Sequence, residues 1–176
     1  MIRDIISVDS KQFHINLLGC KDLTFANITI NAPYQSPNTD GIHIGRSSGI
    51  NITASTISTG DDCISLGGGS HQITISRVIC GPGHGISVRS LGKSKDEPVV
   101  GITVVNCTLI NTMIRVRVKT WPASLEGIAA DMHFEDIIMV NVSNPVLIDQ
   151  GYRPHNKCNA DVKYVRSLYI LKIYIN

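Results

Sequence analysis

Aromatic residues make up only 5% of the 176 residues and charged residues only 17%, where an average soluble protein carries about 25% charged residues. The formal net charge is +2, and no basic stripe is interleaved with aromatics, so nucleic acid is excluded as a partner. No apolar run approaches the ~18 residues that a spanning helix needs, and no membrane partner is expected. Met1–Ser10 has no apolar core of signal-peptide type. Five cysteines are too few for a small disulfide scaffold and show no CxxC spacing for zinc. Long stretches rich in Ala, Leu, Glu and Lys are also missing, which removes the material for amphipathic helices. Disorder is excluded because Ile, Val and Leu run throughout and hydrophobic residues reach 43%.

What is present is a repeat. Short apolar runs alternate with period two, the pattern of strands. Leu23, Phe25, Ile28 and Ile30 stand at offsets 0, +2, +5 and +7. The same offsets give Ile50, Ile52, Ser55, Ile57, then Ile73, Ile75, Val78, Cys80, then Ile102, Val104, Cys107, Leu109, then Met132, Phe134, Ile137, Met139. They recur loosely at Val162, Tyr164, Ser167 and Tyr169, and successive repeats start 27, 23, 29, 30 and 30 residues apart. A period in this range signals a solenoid or array. Two apolar pairs around a polar corner fit stacked strands whose inward residues form ladders. Leucine-rich repeats lack this pattern, and a β-sandwich does not explain the common offsets. The expectation is an all-β, right-handed parallel β-helix. Neither end shows a polar capping segment, so residues 1–176 are read as a single partial domain, truncated at both ends.

Four polar clusters interrupt the rhythm. They are Asn38–Thr39–Asp40–Gly41, Thr59–Gly60–Asp61–Asp62–Cys63, Gly81–Pro82–Gly83–His84–Gly85 and Arg117–Val118–Lys119. Asp or Asn before Gly is an ordinary turn signal, and Arg and Lys two apart on a strand share one face. Adjacent carboxylates are different, because a like-charge pair raises one pKa. Spacings of about one coil would set the four clusters side by side, so three carboxylates, a histidine and two cations converge on one groove.

In this order NTDGIHIG (Asn38–Gly45), TGDDCISLG (Thr59–Gly67), CGPGHGIS (Cys80–Ser87) and RVKTW (Arg117–Trp121) resemble the four signature motifs of the plant polygalacturonases of glycoside hydrolase family 28. Phe13–Ile15, Gly19–Cys20 and Ile148–Asp149–Gln150 match that family's flanking segments. The resemblance implies a secreted, monomeric cell-wall enzyme that hydrolyses α-1,4-galacturonosyl bonds of pectin with inversion. It makes Asp61 the general acid, Asp40 and Asp62 the pair that activates water, and His84 a support for their proton network. These assignments satisfy the need for carboxyl groups in two roles on opposite faces of the sugar. Arg117 and Lys119 would hold the uronate carboxylate, and Tyr152 would line the sugar subsite. A Cys63–Cys80 disulfide is implied, and no metal or organic cofactor.

The chain departs from the family at several positions. Arg89 and Arg115 stand where glycine is usual, and either arginine could pair with a catalytic aspartate, lowering its pKa and turnover with it. Arg153 replaces a usual cysteine and leaves Cys158 without its near partner. The chain alone is therefore expected to hydrolyse little. The other readings are a non-catalytic pectin-binding remnant and a related rhamnogalacturonan or xylogalacturonan hydrolase. Asn27, Asn51, Asn106 and Asn141 each begin an Asn-x-Ser/Thr sequon.

Overall fold

The computed structural model describes residues 1–91, 98–120, 128–149, 152 and 169–175, with the backbone alone for Ser90, Arg115 and 169–175. Among these residues there are strands and turns and no helix, and no helix is long and apolar enough to cross a membrane. The first half contributes β1 (Ile2–Val8), β2 (Phe13–Leu18), β3 (Lys21–Asn31), β4 (Asp40–Gly45), β5 (Ser48–Thr53), β6 (Thr56–Ser58), β7 (Asp62–Leu66), β8 (His71–Ser76) and β9 (Ile79–Cys80). The second half contributes β10 (Gly85–Leu91), β11 (Val99–Val105), β12 (Thr108–Ile110), β13 (Ile114–Thr120), β14 (Ile128–Glu135), β15 (Ile138–Val140), β16 (Asn144–Asp149) and β17 (Tyr169–Ile175).

Every pairing among these strands is parallel and joins one coil to the next. One sheet has the order β2, β4, β7, β10, β13, β16, and the remaining strands form the other. This is the parallel β-helix that the repeat predicts. Ile50 lies opposite Leu23 and Ile73, and Ile52 opposite Phe25 and Ile75. Ile102 and Val104 continue the ladders to Met132 and Phe134. These side chains, Leu23 excepted, are buried, as the common offsets require.

The polar corner at offset +4 has a backbone reason. Asn27, Ala54, Arg77, Asn106 and Asp136 all adopt φ between 48° and 54°, the left-handed region where Asn and Asp are most tolerated. A corner Asn followed by a strand that begins Ile-Thr or Cys-Thr spells a sequon, which accounts for Asn27 and Asn106. All four sequon asparagines are exposed. Ser55 is the polar member of an otherwise apolar ladder. Its hydroxyl donates to Thr53 O (2.8 Å) and accepts from Ile28 N–H (3.1 Å), which satisfies it inside the core.

The last repeat differs from the sequence expectation. Tyr169 pairs with Ile128, not with Met139, and Ile173 and Ile175 take the ladder places beside Met132 and Phe134. Val162, Tyr164 and Ser167 lie outside the described residues. The reason is that YILKIYI carries branched apolar residues at the spacing the ladder needs, which the earlier match lacks. At the other end β1 pairs with β3 and adds a strand the offset search does not reach.

Ile75 is fully buried between Ile52 and Val104, so Ile75→Ala should cost about 2–5 kcal/mol. The exposed Ile138 of β15 is the control, because Ile138→Ala should stay within about 0.5 kcal/mol. Urea denaturation of both variants checks the difference.

Candidate active site

Three of the four polar clusters meet at the N-terminal ends of neighbouring strands in the β2–β16 sheet, and Arg117 and Lys119, from within β13, reach them through their side chains. Asp40 opens β4, Asp62 opens β7, and Gly85, which opens β10, lies opposite Asp62. The backbone ties these turns together, since Asp61 N–H donates to Thr39 O (3.1 Å) and His84 N–H donates to Asp61 O (2.8 Å). Gly83 makes the close approach possible. Its φ is +147°, and a Cβ there would lie 2.8 Å from Asp61 O. Cys63 and Cys80 are joined in a disulfide, with Cα atoms 5.9 Å apart, directly behind the paired aspartates.

Along the strands, alternation separates core from site. Ile42, Ile44, Ile64, Leu66, Ile86 and Val88 point inward and are buried. The intervening positions stack into an outward column, His43–Ser65–Ser87–Arg117, one residue per coil. Lys119 follows two residues after Arg117, on the same face.

The three carboxylates occupy three different environments. Asp40 is 1% exposed; its Oδ2 accepts a hydrogen bond from Ser65 Oγ (2.8 Å) and lies 3.7 Å from Arg89 Nη2. Burial pushes its pKa up to about 6, and the Asp61 and Asp62 charges push the same way, against Arg89 and the Ser65 bond. Asp61 is partly exposed, and its Oδ1 lies 2.8 Å from His84 Nδ1 and accepts from Asp62 N–H at 2.8 Å. Burial works against its ionisation, but the His84 bond and charge, the Asp62 N–H and nearby Lys119 together hold Asp61 below the usual carboxylate range. Asp62 is buried between two cations, with Arg117 Nη2 donating to Oδ1 (3.0 Å) and Lys119 Nζ 3.9 Å from Oδ2. Burial pulls the Lys119 pKa down, with Arg117 and Arg89 helping and Asp62 and Asp61 opposing. Tyr152 joins this end, its ring centroid 5.0 Å from Lys119 Nζ and its N–H donating to Thr120 O (3.1 Å).

Asp40, Asp61, Asp62, His84, Arg117 and Lys119 are thus gathered together, as the one-coil spacing predicts, and Tyr152 lies beside Lys119. Two electrostatic details differ from the sequence expectation. Arg89 does approach one of the site aspartates, Asp40, but desolvation outweighs the guanidinium, so that carboxyl ends up raised and not lowered. Arg117 and Lys119 are largely buried and face Asp62. The Arg115 side chain, Trp121, Arg153 and Cys158 lie outside the described residues. Ligand atoms of Asp61, Asp62 and His84 all lie within 4.8 Å of one another. Two cations already neutralise Asp62, and His84 Nδ1 is bonded to Asp61, so the set suits proton transfer better than a metal ion.

Sequence reasoning missed a second set of residues behind Asp40. Ser65 Oγ is fully buried, donates to Asp40, and lies 2.9 Å from His43 Nδ1. With its one proton directed at Asp40, the hydroxyl accepts from His43, which places the imidazole proton on Nδ1. Burial, helped by Arg89, lowers the His43 pKa to about 4, so the ring is neutral in mild acid. Phe13 stacks on it, centroids 5.1 Å apart and planes 26° apart. The available signal was alternation: His43 and Ser65 are the polar residues between inward pairs Ile42/Ile44 and Ile64/Leu66. Ser65→Ala removes a donor that favours the charged carboxylate, so the Asp40 midpoint should rise above about 6. Titration of the Asp40 carboxyl carbon by NMR measures it.

The sequence profile of the glycosyl hydrolases family 28 matches residues 1–170. A polygalacturonase of Nicotiana tabacum is 62% identical over 162 residues, which cover 92% of this chain and 41% of that protein. An exopolygalacturonase of Oenothera organensis is 58% identical over 163 residues, 92% of this chain and 45% of that protein. The chain therefore spans less than half the length of these curated relatives. Among solved structures, an endo-xylogalacturonan hydrolase from Aspergillus tubingensis superposes with a TM-score of 0.76 at 30% identity, over 84% of this chain and 42% of that one. A polygalacturonase from Erwinia carotovora gives 0.74 at 28% identity, over 86% and 40%. With the family profile running through every cluster of the site, the chain belongs to glycosyl hydrolase family 28.

Proposed function

We propose that this chain carries the acid/base centre of an inverting hydrolase that cleaves α-1,4-galacturonosyl bonds of polygalacturonate, in a protein secreted to the cell wall. The observation that carries the reading is the unequal treatment of three neighbouring carboxylates. Asp40 and Asp61 each keep one oxygen (Oδ1 and Oδ2 respectively) with no hydrogen bond among the described residues. Asp62 has both oxygens turned to cations. Two carboxyl groups that each keep an oxygen free are what paired acid and base roles require; that Asp61 is the acid of the pair follows the family resemblance, since in the free protein the shifts favour the proton on Asp40.

In this reading Asp61 protonates the glycosidic oxygen as the C1–O bond breaks. A water molecule attacks C1 from the opposite face and gives its proton to ionised Asp40, so the anomeric configuration inverts. In the free protein, Asp40 holds a proton more readily than Asp61. Asp61 must therefore receive a proton before the step, and His84 Nδ1, 2.8 Å from Asp61 Oδ1, is placed to deliver it when protonated. Asp62 fixes Arg117 and Lys119 beside the site, where their positive field favours a polyanionic substrate. Arg89 contacts Asp40 and not Asp61, so it does not hold the acid in its ionised form, which removes one of the grounds for expecting little turnover.

Reducing ends released from polygalacturonate at mildly acidic pH test the reading. Asp61→Asn should lower kcat/KM by about 10²–10⁴-fold. The acid limb of the kcat/KM profile should have its midpoint near Asp40's raised pKa of about 6, because the base works ionised, and Asp40→Asn should remove that limb. Turnover in the Asp61→Asn variant equal to the unmodified chain would sink the assignment. Xylogalacturonan run in parallel separates the related hydrolase, which would prefer it.

A further inference from the structure

The cations that the resemblance assigns to the substrate carboxylate are not the most available ones. Arg117 and Lys119 side chains are 10% and 7% exposed and are drawn onto Asp62. The Arg89 side chain is 36% exposed. It leaves β10 just after Val88, which pairs with Leu66 and Val118. It then lies back across β7 and β4 toward β2, three strands away at about 4.8 Å each. Its guanidinium ends 3.7 Å from Asp40 Oδ2 and 5.8 Å from the centre of the Phe13 ring.

That placement leaves the guanidinium donors largely unused. The 3.7 Å contact is longer than a hydrogen bond, and no hydrogen bond to Arg89 forms among the described residues. Below about pH 6 burial favours the neutral form of Asp40, which makes it a weak counter-ion there. The floor beside it is bare. Gly45 and Gly67 follow the inward Ile44 and Leu66 and put no side chain over the surface next to the His43 ring, whose Nε2 and Cε1 would lie 3.6 Å and 3.4 Å from a Cβ at Gly45 and at Gly67. The stacked Phe13 and His43 rings, both partly exposed, border this floor. A planar fork with free donors, beside a ring pair and a side-chain-free floor, suits a sugar that carries a carboxylate. A residue that merely plugged the trough would be expected to satisfy those donors within the protein.

We propose that Arg89 is a second carboxylate-binding residue of the trough, holding the uronate unit on the Phe13–His43 side of the scissile bond, opposite Arg117 and Lys119. The proposal rests on the polygalacturonate reading above and adds a specificity for unesterified uronate at that position.

Calorimetric titration with trigalacturonate and with its fully methyl-esterified form tests this without requiring turnover. Arg89→Gly should weaken trigalacturonate binding by at least about tenfold, the scale of a lost charge-assisted contact, and change methyl-ester binding much less. Arg89→Gln should behave like Arg89→Gly, and Arg89→Lys, which keeps the charge without the fork, should recover part of the loss. The salt dependence of trigalacturonate binding should flatten in Arg89→Gly and Arg89→Gln. Trigalacturonate bound by Arg89→Gly as tightly as by the unmodified chain, or more tightly, overturns the role of Arg89 and leaves the polygalacturonate reading standing. No trigalacturonate binding by any form overturns both.

Discussion

Parallel stacking in register is the constraint on which the rest of this structure depends. Each strand hydrogen-bonds only to the coils before and after it, so residues at one position of the repeat lie above one another at about the 4.8 Å strand spacing. Ile50 over Leu23 and under Ile73 is the core version of that rule. Ser87 between Ser65 and Arg117 is the site version. Differences in coil length are taken up in the turns, as the starting intervals of 23 to 30 residues demand. A site built this way needs no long-range folding accident. It needs polar residues at the same point of successive coils.

The same stacking creates an electrostatic problem and most of its solution. Three carboxylates within neighbouring turns repel one another, and ionising all of them in a poorly solvated place is costly. Their surroundings split them. Among the described residues, Asp62 takes Arg117 and Lys119, Asp61 takes His84 and a backbone N–H, and Asp40 receives Ser65 and a distant guanidinium. Of Asp40 and Asp61, Asp40 is therefore the one that keeps a proton more easily in the free protein. Unequal compensation is what turns a cluster of like charges into an acid/base system.

The core was legible because its signal repeats. Five sets of apolar residues at common offsets identify ladders even where Ser55 or Cys107 interrupts them, because the register is set by the others. The site clusters were legible by their spacing and by the rarity of adjacent aspartates. The Asp40–Ser65–His43 chain escaped notice because a serine and a histidine between isoleucines look like ordinary outward residues of a strand. Only the three-dimensional register turns them into partners. The final repeat was misjudged because sequence offsets cannot say how much chain a turn absorbs; YILKIYI offers the ladder better material than the residues at the expected interval. The direction of Arg89 was likewise invisible, since a six-bond side chain can reach several columns from one backbone position.

Alternation lets such a site change without disturbing the fold. In β10 Ile86 and Val88 remain in the core ladders, while Ser87 and Arg89 lie between and beyond them on the outer face. An arginine at position 89 therefore removes nothing from the ladders and adds a cation only to the outer face. At an inward position the same change would bury a charge among Ile64, Val88 and Val118, where no counter-ion stands. The free-energy cost of variation is thus very unequal on the two faces of one strand. The face that tolerates change is also the face that carries the candidate site. Column by column, a β-helix of this kind can adjust the charge pattern it presents to a polymer while keeping the carboxylates of neighbouring coils in register.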